Sequence, residues 1–142
     1  MPPDARPAPP INIAATRGGM DESTHLVHAA VMSGDGSITA AYGNIERVIY
    51  PRSTLKPLQA VALVESGAAA AFGVNDAELA LACASHSGED LHVTCVKDWL
   101  ARISLEEKDL GCGAHAPYAD SCKPATAFCN NCSGKHAGML TL

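Results

Sequence analysis

The stretch YPRSTLKPLQA, residues 50–60, marks the point where the character of the chain changes. Before it, short apolar runs alternate with Gly-rich turns, a pattern typical of β-strands and hairpins. From Thr54 onward, apolar residues recur at the spacing of an amphipathic helix, which is predicted to end at Gly67. Strands followed by helices predict an α+β or mixed α/β fold, with helices packed on a mixed or antiparallel sheet.

Several strands are predicted before this stretch. INIAATR, residues 11–17, predicts a strand that ends at a Gly pair. HLVHAAVMS and SITAAYG, residues 25–33 and 37–43, predict a hairpin with a Gly-Asp-Gly turn. RVIY, residues 47–50, predicts a further short strand. Residues 1–10, MPPDARPAPP, are Pro-rich with little apolar surface, and we expect a disordered tail there.

Capping signals predict further helices after the first one. Asn75 is an N-cap candidate, and Glu78 follows three residues later as in a capping box. The next helix is predicted to begin at Glu89. We expect one of its faces to carry Leu91, Cys95 and either Trp99 or Leu100. Ser104 and Glu107 predict one more capped, short helix.

Composition narrows the class of protein. The 142 residues suit one domain, with 47% hydrophobic and 18% charged residues. The net charge is −5 and the ten basic residues are scattered, which argues against a nucleic-acid partner. No apolar run approaches the roughly 18 residues that a membrane span needs. We therefore expect a cytoplasmic protein with mostly reduced cysteines and no membrane partner.

Ser53 and Lys56 form a Ser-x-x-Lys pattern at the predicted helix start. Positions three apart lie on one helix face, so the lysine amine could take the proton of a nucleophilic serine. Arg52 is a candidate either for shifting the lysine pKa or for binding a substrate carboxylate. The alternative is structural: Ser53 caps the helix and Lys56 is a solvated lysine.

Two later stretches also carry reactive side chains. In CASHSGED, residues 83–90, two serines flank a histidine at a helix end, which is typical either of a cleft or of a loop with an N-cap. In CNNCSGKHAGM, residues 129–139, a C-x-x-C pair precedes a lysine and a histidine. That arrangement could bind an anion at a helix start, act in redox chemistry or contribute to a zinc site. A Gly-rich turn before a core helix is the alternative.

Five motifs together resemble the L-asparaginase II family of the Rhizobium etli type, over about residues 11–142. In chain order they are TRGG at 16–19, PRSTLKPLQA at 51–60, LVESGAAAAFG at 63–73, ELALACASHSGE at 78–89 and NNCSGKHAGML at 130–140. The resemblance implies a fold similar to serine β-lactamases and penicillin-binding proteins. It also implies an amidohydrolase that converts L-asparagine to L-aspartate and ammonia.

The resemblance assigns roles to individual residues. Ser53 and Lys56 match a first Ser-Lys pair, and Ser85 matches the serine of a second pair. In a cluster beside the implied active site, Cys132 and Lys135 match residues that help to bind zinc. The resemblance further implies substrate contacts from Arg52 and His136. A small-molecule substrate is thus the expected partner, and a homodimer is left open.

The family's proteins are considerably longer than this chain. We therefore expect residues 11–142 to be the N-terminal part of an asparaginase-like domain, and the chain to be a truncated fragment with little activity alone. The second serine's lysine partner and a further zinc-ligand cysteine would lie beyond Leu142. Two alternatives stay open: a serine hydrolase of the β-lactamase or peptidase kind, and a non-catalytic, degenerate gene fragment.

Overall fold

The computed structural model describes residues 7–142 of the chain. The chain divides into two compact units, Met1–Tyr50 and Pro51–Leu142. Within the described residues, the first unit holds two small antiparallel sheets and the second holds five α-helices. The predicted mixture of strands and helices is confirmed at this level. No helix in the described part is long and apolar enough to cross a membrane.

The first unit is built from two hairpins. Strands β1 (Ile11–Arg17) and β2 (Met20–Val27) pair antiparallel through a turn at Gly18 and Gly19, where φ is +58° and +81°. Strands β3 (Ala29–Met32) and β4 (Ile38–Tyr42) form the second antiparallel pair. The predicted strand at residues 11–17 and the Gly-Asp-Gly hairpin are therefore confirmed.

The predicted strand RVIY, residues 47–50, is wrong. These residues belong to no described strand, and Val48, Ile49 and Tyr50 are 95%, 72% and 89% exposed. An apolar, β-branched run favours a strand only where a neighbouring strand is available to pair with it.

The predicted disordered tail covers residues 1–10, of which the first six lie outside the described residues. Closer to the first strand, Ala8 pairs with Tyr42 in a parallel bridge. The Ala8 amide donates to the carbonyl of Ala41 at 2.9 Å.

The second unit is helical. Its helices are α1 (Lys56–Glu65), α2 (Ala68–Ala71), α3 (Asp76–Cys83), α4 (Asp90–Arg102) and α5 (Ser133–Leu140). Short 3-10 turns occupy Arg52–Leu55, Glu107–Asp109 and Ala127–Cys129. The helical pattern predicted from Thr54 thus begins as a 3-10 turn and becomes α1 at Lys56.

Local capping explains where two of these elements begin. Asn75 accepts from the backbone N–H of Glu78, and the Glu78 carboxylate accepts from the Asn75 N–H, each at 3.0 Å, so the predicted capping box is confirmed. The predicted cap at Ser104 is wrong. Glu106 forms the reciprocal box with Asp109 instead, while Ser104 adopts a left-handed φ of 59° just after α4.

A compact apolar core joins the helices of the second unit. Its buried members are Leu63, Leu81, Ala82, Val96, Trp99, Leu100, Leu110, Ala127 and Ala137. In α4 the buried face is formed by Val96, Trp99 and Leu100. The predicted face is confirmed at Trp99 and Leu100, and Cys95 packs against the core. Leu91 does not belong to this face, since its side chain is 65% exposed.

The cysteines do not pair as a C-x-x-C. Cys122 and Cys129 form a disulfide, with their Cα atoms 6.2 Å apart. The other four cysteines are free thiols: Cys83, Cys95, Cys112 and Cys132. Cys132 therefore keeps a thiol at the start of α5, because its C-x-x-C neighbour is bound elsewhere.

Candidate active site

A chain of hydrogen bonds links Lys56, Ser85 and Ser53. The Lys56 ammonium donates to Ser85 Oγ at 2.8 Å and to the backbone carbonyl of Ala84 at 2.6 Å. Ser85 Oγ in turn donates to Ser53 Oγ at 3.1 Å. Lys56 is only 3% exposed, whereas both serines lie at the surface. The arrangement thus connects a buried amine to two accessible hydroxyl groups.

The local backbone explains this convergence. Ser53 lies in the 3-10 turn and Lys56 is the first residue of α1, so both project from one short segment. Helix α3 ends at Cys83, and Ala84 is extended with φ −103° and ψ 166°. That change of direction carries Ser85 out of the helix and towards Lys56.

The structural alternative for Ser53 and Lys56 does not describe this geometry. No side chain caps either the 3-10 turn or α1, so Ser53 does not act as an N-cap. Lys56 is buried and not solvated. The lysine reaches Ser53 through the hydroxyl of Ser85, although the spacing of three residues along a helix predicts a direct contact.

Arg52 lies immediately before the exposed serine and has an unusual backbone. Its φ of 52° lies in the left-handed region, which costs a non-glycine residue roughly 1 kcal/mol or more. The residue is exposed, so its guanidinium is accessible beside Ser53.

His86 and Ser133 are two buried residues that the sequence did not single out as site residues. His86 Nε2 lies 2.8 Å from Ser133 Oγ, and Ser133 Oγ donates to the Phe128 carbonyl at 2.9 Å. Burial, with smaller contributions from the charges of His92 and Lys56, lowers the pKa of His86 to about 4. The imidazole is therefore neutral near pH 7. In the sequence, the only sign of a role for His86 in the site is its position directly after Ser85.

An open cleft of about 710 Å³ adjoins Ser85. It lies between α3 and α4 and is lined mainly by apolar side chains, with His92 and Cys95 on its α4 side. The Nδ1 atom of His92 is buried without a hydrogen-bond partner in the described part of the chain. The cleft is large enough for a small organic molecule.

The cluster at the start of α5 surrounds Cys132. Its backbone N–H donates to Asn130 Oδ1 at 2.9 Å, and the thiol is free. Burial and the positive charges of Lys135 and Lys56 lower the pKa of His136. The described residues contain no group of three or more His, Cys, Asp or Glu side chains placed to hold a metal ion.

The chain was compared with protein-family models and with curated proteins. No curated protein matches the chain. The model of the family described as L-asparaginase II matches residues 13–142. This match includes every residue of the hydrogen-bonded chain and of the cluster at α5, and it covers most of the sequence. The chain therefore belongs to the L-asparaginase II family.

Proposed function

We propose that the protein is an amidohydrolase that cleaves the side-chain amide of L-asparagine, through a serine ester intermediate, to L-aspartate and ammonia. The observation that carries the proposal is the Lys56–Ser85–Ser53 hydrogen-bond chain. Membership of the L-asparaginase II family supports the substrate class. Family membership does not favour the two alternatives, a β-lactamase or peptidase and a non-catalytic gene fragment.

In the proposed mechanism Ser53 is the nucleophile and Lys56 is the base. In the reacting form Lys56 is deprotonated and the two hydrogen bonds run opposite to their resting direction. Ser53 Oγ attacks the amide carbon while its proton passes to Ser85 Oγ and the proton of Ser85 passes to the amine of Lys56. The amide C–N bond then breaks, and the nitrogen leaves as ammonia after taking the proton back through the same path. Water next attacks the β-aspartyl ester, with Lys56 as base, and releases aspartate and the free serine.

Substrate recognition is proposed for Arg52 and His136. The exposed guanidinium of Arg52 suits the α-carboxylate of an amino acid, since Arg and carboxylate pair with matching geometry. His136 has a lowered pKa and so offers a neutral ring, which can form a hydrogen bond with the substrate without adding a charge.

We also propose the finer relationship to the Rhizobium etli type and a fold similar to serine β-lactamases. The order of the five motifs supports the first, and the Ser-x-x-Lys pattern at the start of α1 supports the second. Alignment with members of that type would test the first, and superposition on a serine β-lactamase would test the second.

Zinc is proposed at Cys132 and Lys135 only as a partial site. A thiolate and a neutral amine are suitable donors, but two donors leave a tetrahedral shell incomplete. The described residues contain no group of three or more His, Cys, Asp or Glu side chains that could complete the shell. We expect elemental analysis to show less zinc in Cys132→Ala than in the parent. Equal, stoichiometric zinc in both would exclude this thiol as a ligand.

Three substitutions test the serine mechanism: Ser53→Ala, Ser85→Ala and Lys56→Met. In a chain extended to the length of the family's proteins, we expect each to lower ammonia release from L-asparagine by about a thousandfold or more. Combinations should lower it little further, because the residues act as one unit. The exposed Ser121→Ala is the matched control and should keep parental activity. Mass spectrometry of a quenched reaction should place the β-aspartyl ester on Ser53.

Other outcomes of this experiment have definite meanings. An ester on Ser85, with near-parental turnover by Ser53→Ala, would move the nucleophile to Ser85. Hydrolysis of a chromogenic cephalosporin without any release of ammonia from asparagine would replace the proposed function with the β-lactamase alternative.

A further inference from the structure

Both ring nitrogens of His86 are hydrogen-bonded, one to a residue two positions away and the other to a residue 47 positions away in the sequence. Its Nδ1 accepts from the backbone N–H of Gly88 at 3.2 Å, and its Nε2 lies 2.8 Å from Ser133 Oγ. The Ser133 hydroxyl donates its own proton to the Phe128 carbonyl. His86 is 5% exposed and Ser133 is fully buried.

These contacts fix the tautomer of the ring. An amide N–H can only donate, so Nδ1 must be the unprotonated nitrogen. Because the Ser133 proton is directed at Phe128, its oxygen is left to accept, and Nε2 must carry the proton. The group is therefore a neutral imidazole that accepts at one end and donates at the other, with both positions satisfied inside the fold.

The same residue anchors the backbone next to Ser85. The His86 N–H donates to the carbonyl of Asn131 at 3.2 Å, in the turn that leads into α5. On the other side of Ser85, the Ala84 carbonyl accepts from Lys56. Ser85 is thus held between two anchored neighbours, and one of the two anchors depends on the α5 end of the unit.

We propose that His86 and Ser133 are positioning residues that hold the Ala84–Ser87 segment, so that Ser85 Oγ stays within hydrogen-bond reach of Lys56 and Ser53. His86 touches neither the lysine amine nor the serine hydroxyls through a hydrogen bond of its own, and it acts through the backbone of Ser85. This inference rests on the proposed serine mechanism and adds two residues to it.

Variants of the pair separate positioning from simple packing. Ser133→Ala removes one hydroxyl, and His86→Asn keeps an acceptor near the Nδ1 position but no longer reaches Ser133. His86→Gln restores a donor near the Nε2 position. In the same extended chain, we expect the first two to lower kcat at least tenfold with KM changed less than twofold, and His86→Gln to recover much of the loss. The exposed His115→Gln is the matched control and should be unchanged.

A second readout is independent of the substrate. The rate at which a fluorophosphonate labels the reactive serine should fall in Ser133→Ala and His86→Asn as kcat does. Labelling of the parent without release of ammonia from asparagine would reject the proposed substrate and leave the positioning inference standing. Labelling and turnover at parental rates in both variants would overturn the positioning inference alone.

The pH profile and the tautomer supply the remaining tests. The groups whose charges act on His86 are Lys56 of α1 and His92 of α4, and a neutral His86 contributes no ionisation of its own above pH 6. We expect the pH profile of kcat in His86→Asn to keep the acidic limb of the parent. Loss of that limb would show that His86 takes part in acid–base catalysis and does not only position Ser85. If His86→Asn does not fold, the 15N resonances of the His86 ring in the parent show which nitrogen carries the proton. A protonated Nδ1 at pH 7 would contradict the inference.

Discussion

Gly134 lets helix α5 lie directly against the end of α3. A Cβ added there would lie 2.6 Å from Leu81 Cγ and 2.7 Å from the Leu81 carbonyl oxygen, which is closer than real Cβ contacts allow. One of these neighbours is backbone and cannot rotate away. We expect Gly134→Ala to destabilise the protein by about 1–3 kcal/mol through overpacking, measured by urea denaturation.

Gly138, one turn later in α5, is the matched control for this effect. The nearest atom to an added Cβ is the Ala82 Cβ at 3.2 Å, a contact that small shifts can relieve. Alanine also improves helix propensity by about 1 kcal/mol over glycine. We therefore expect Gly138→Ala to be nearly neutral, and equal losses of stability in both variants would contradict the packing explanation.

At the same scale, the sequence singled out candidate residues for chemistry but did not predict how their side chains meet. The Ser-x-x-Lys spacing marked Ser53 and Lys56, since residues three apart are neighbours along a helix. Their connection through Ser85 depends on how α3 ends against α1. The His86–Ser133 contact joins positions 47 residues apart, and no periodicity in the sequence encodes such a pair.

Helices α3 and α4 are joined by an ion pair that is buried on one side. The Glu78 carboxylate is 3% exposed and accepts from Arg102 Nη2 at 2.6 Å, while the arginine side chain is 37% exposed. We expect Arg102→Leu to cost about 2 kcal/mol in urea denaturation, because it leaves a buried carboxylate without its partner. The partial exposure of the arginine keeps this value below that of a fully buried pair.

The double variant Glu78→Gln with Arg102→Leu shows whether the unpaired charge causes that loss. Glutamine keeps an acceptor for the Asn75 N–H in the capping box. It removes the buried negative charge, so the double variant should regain part of the stability lost in Arg102→Leu. A double variant less stable than the single one would show that packing of the arginine stem dominates.

Elements that depend on residues close together in the sequence could be predicted, and elements that depend on tertiary packing could not. The capping box at Asn75 and the Gly-Asp-Gly hairpin depend on residues within a few positions of each other, so the sequence predicts them. The extent of the buried face of α4 depends on what packs against it, so the sequence predicted Trp99 or Leu100 correctly but also included the exposed Leu91. RVIY failed for the same reason, because a strand needs a partner that its own residues do not specify.

Across the whole molecule, the buried neutral histidine makes stability depend on pH. The pKa of His86 is lowered from 6.5 to about 4 by burial. Between these two pH values, the His86 ring is therefore protonated in the unfolded chain and neutral in the folded protein. The stabilising contribution is therefore present above pH 6.5 and is lost as pH falls towards 4. The lowered pKa of His136 acts with the same sign.

We expect the free energy of unfolding to fall between pH 7.5 and pH 5, with about 1 kcal/mol of the loss due to His86 after allowance for solvent screening. Urea denaturation at the two pH values measures the total, and His86→Gln is the comparison, because glutamine does not titrate. The variant should be less stable than the parent at pH 7.5 and should lose less on acidification. An equal loss in parent and variant would show that the pKa of His86 is not lowered in the folded protein.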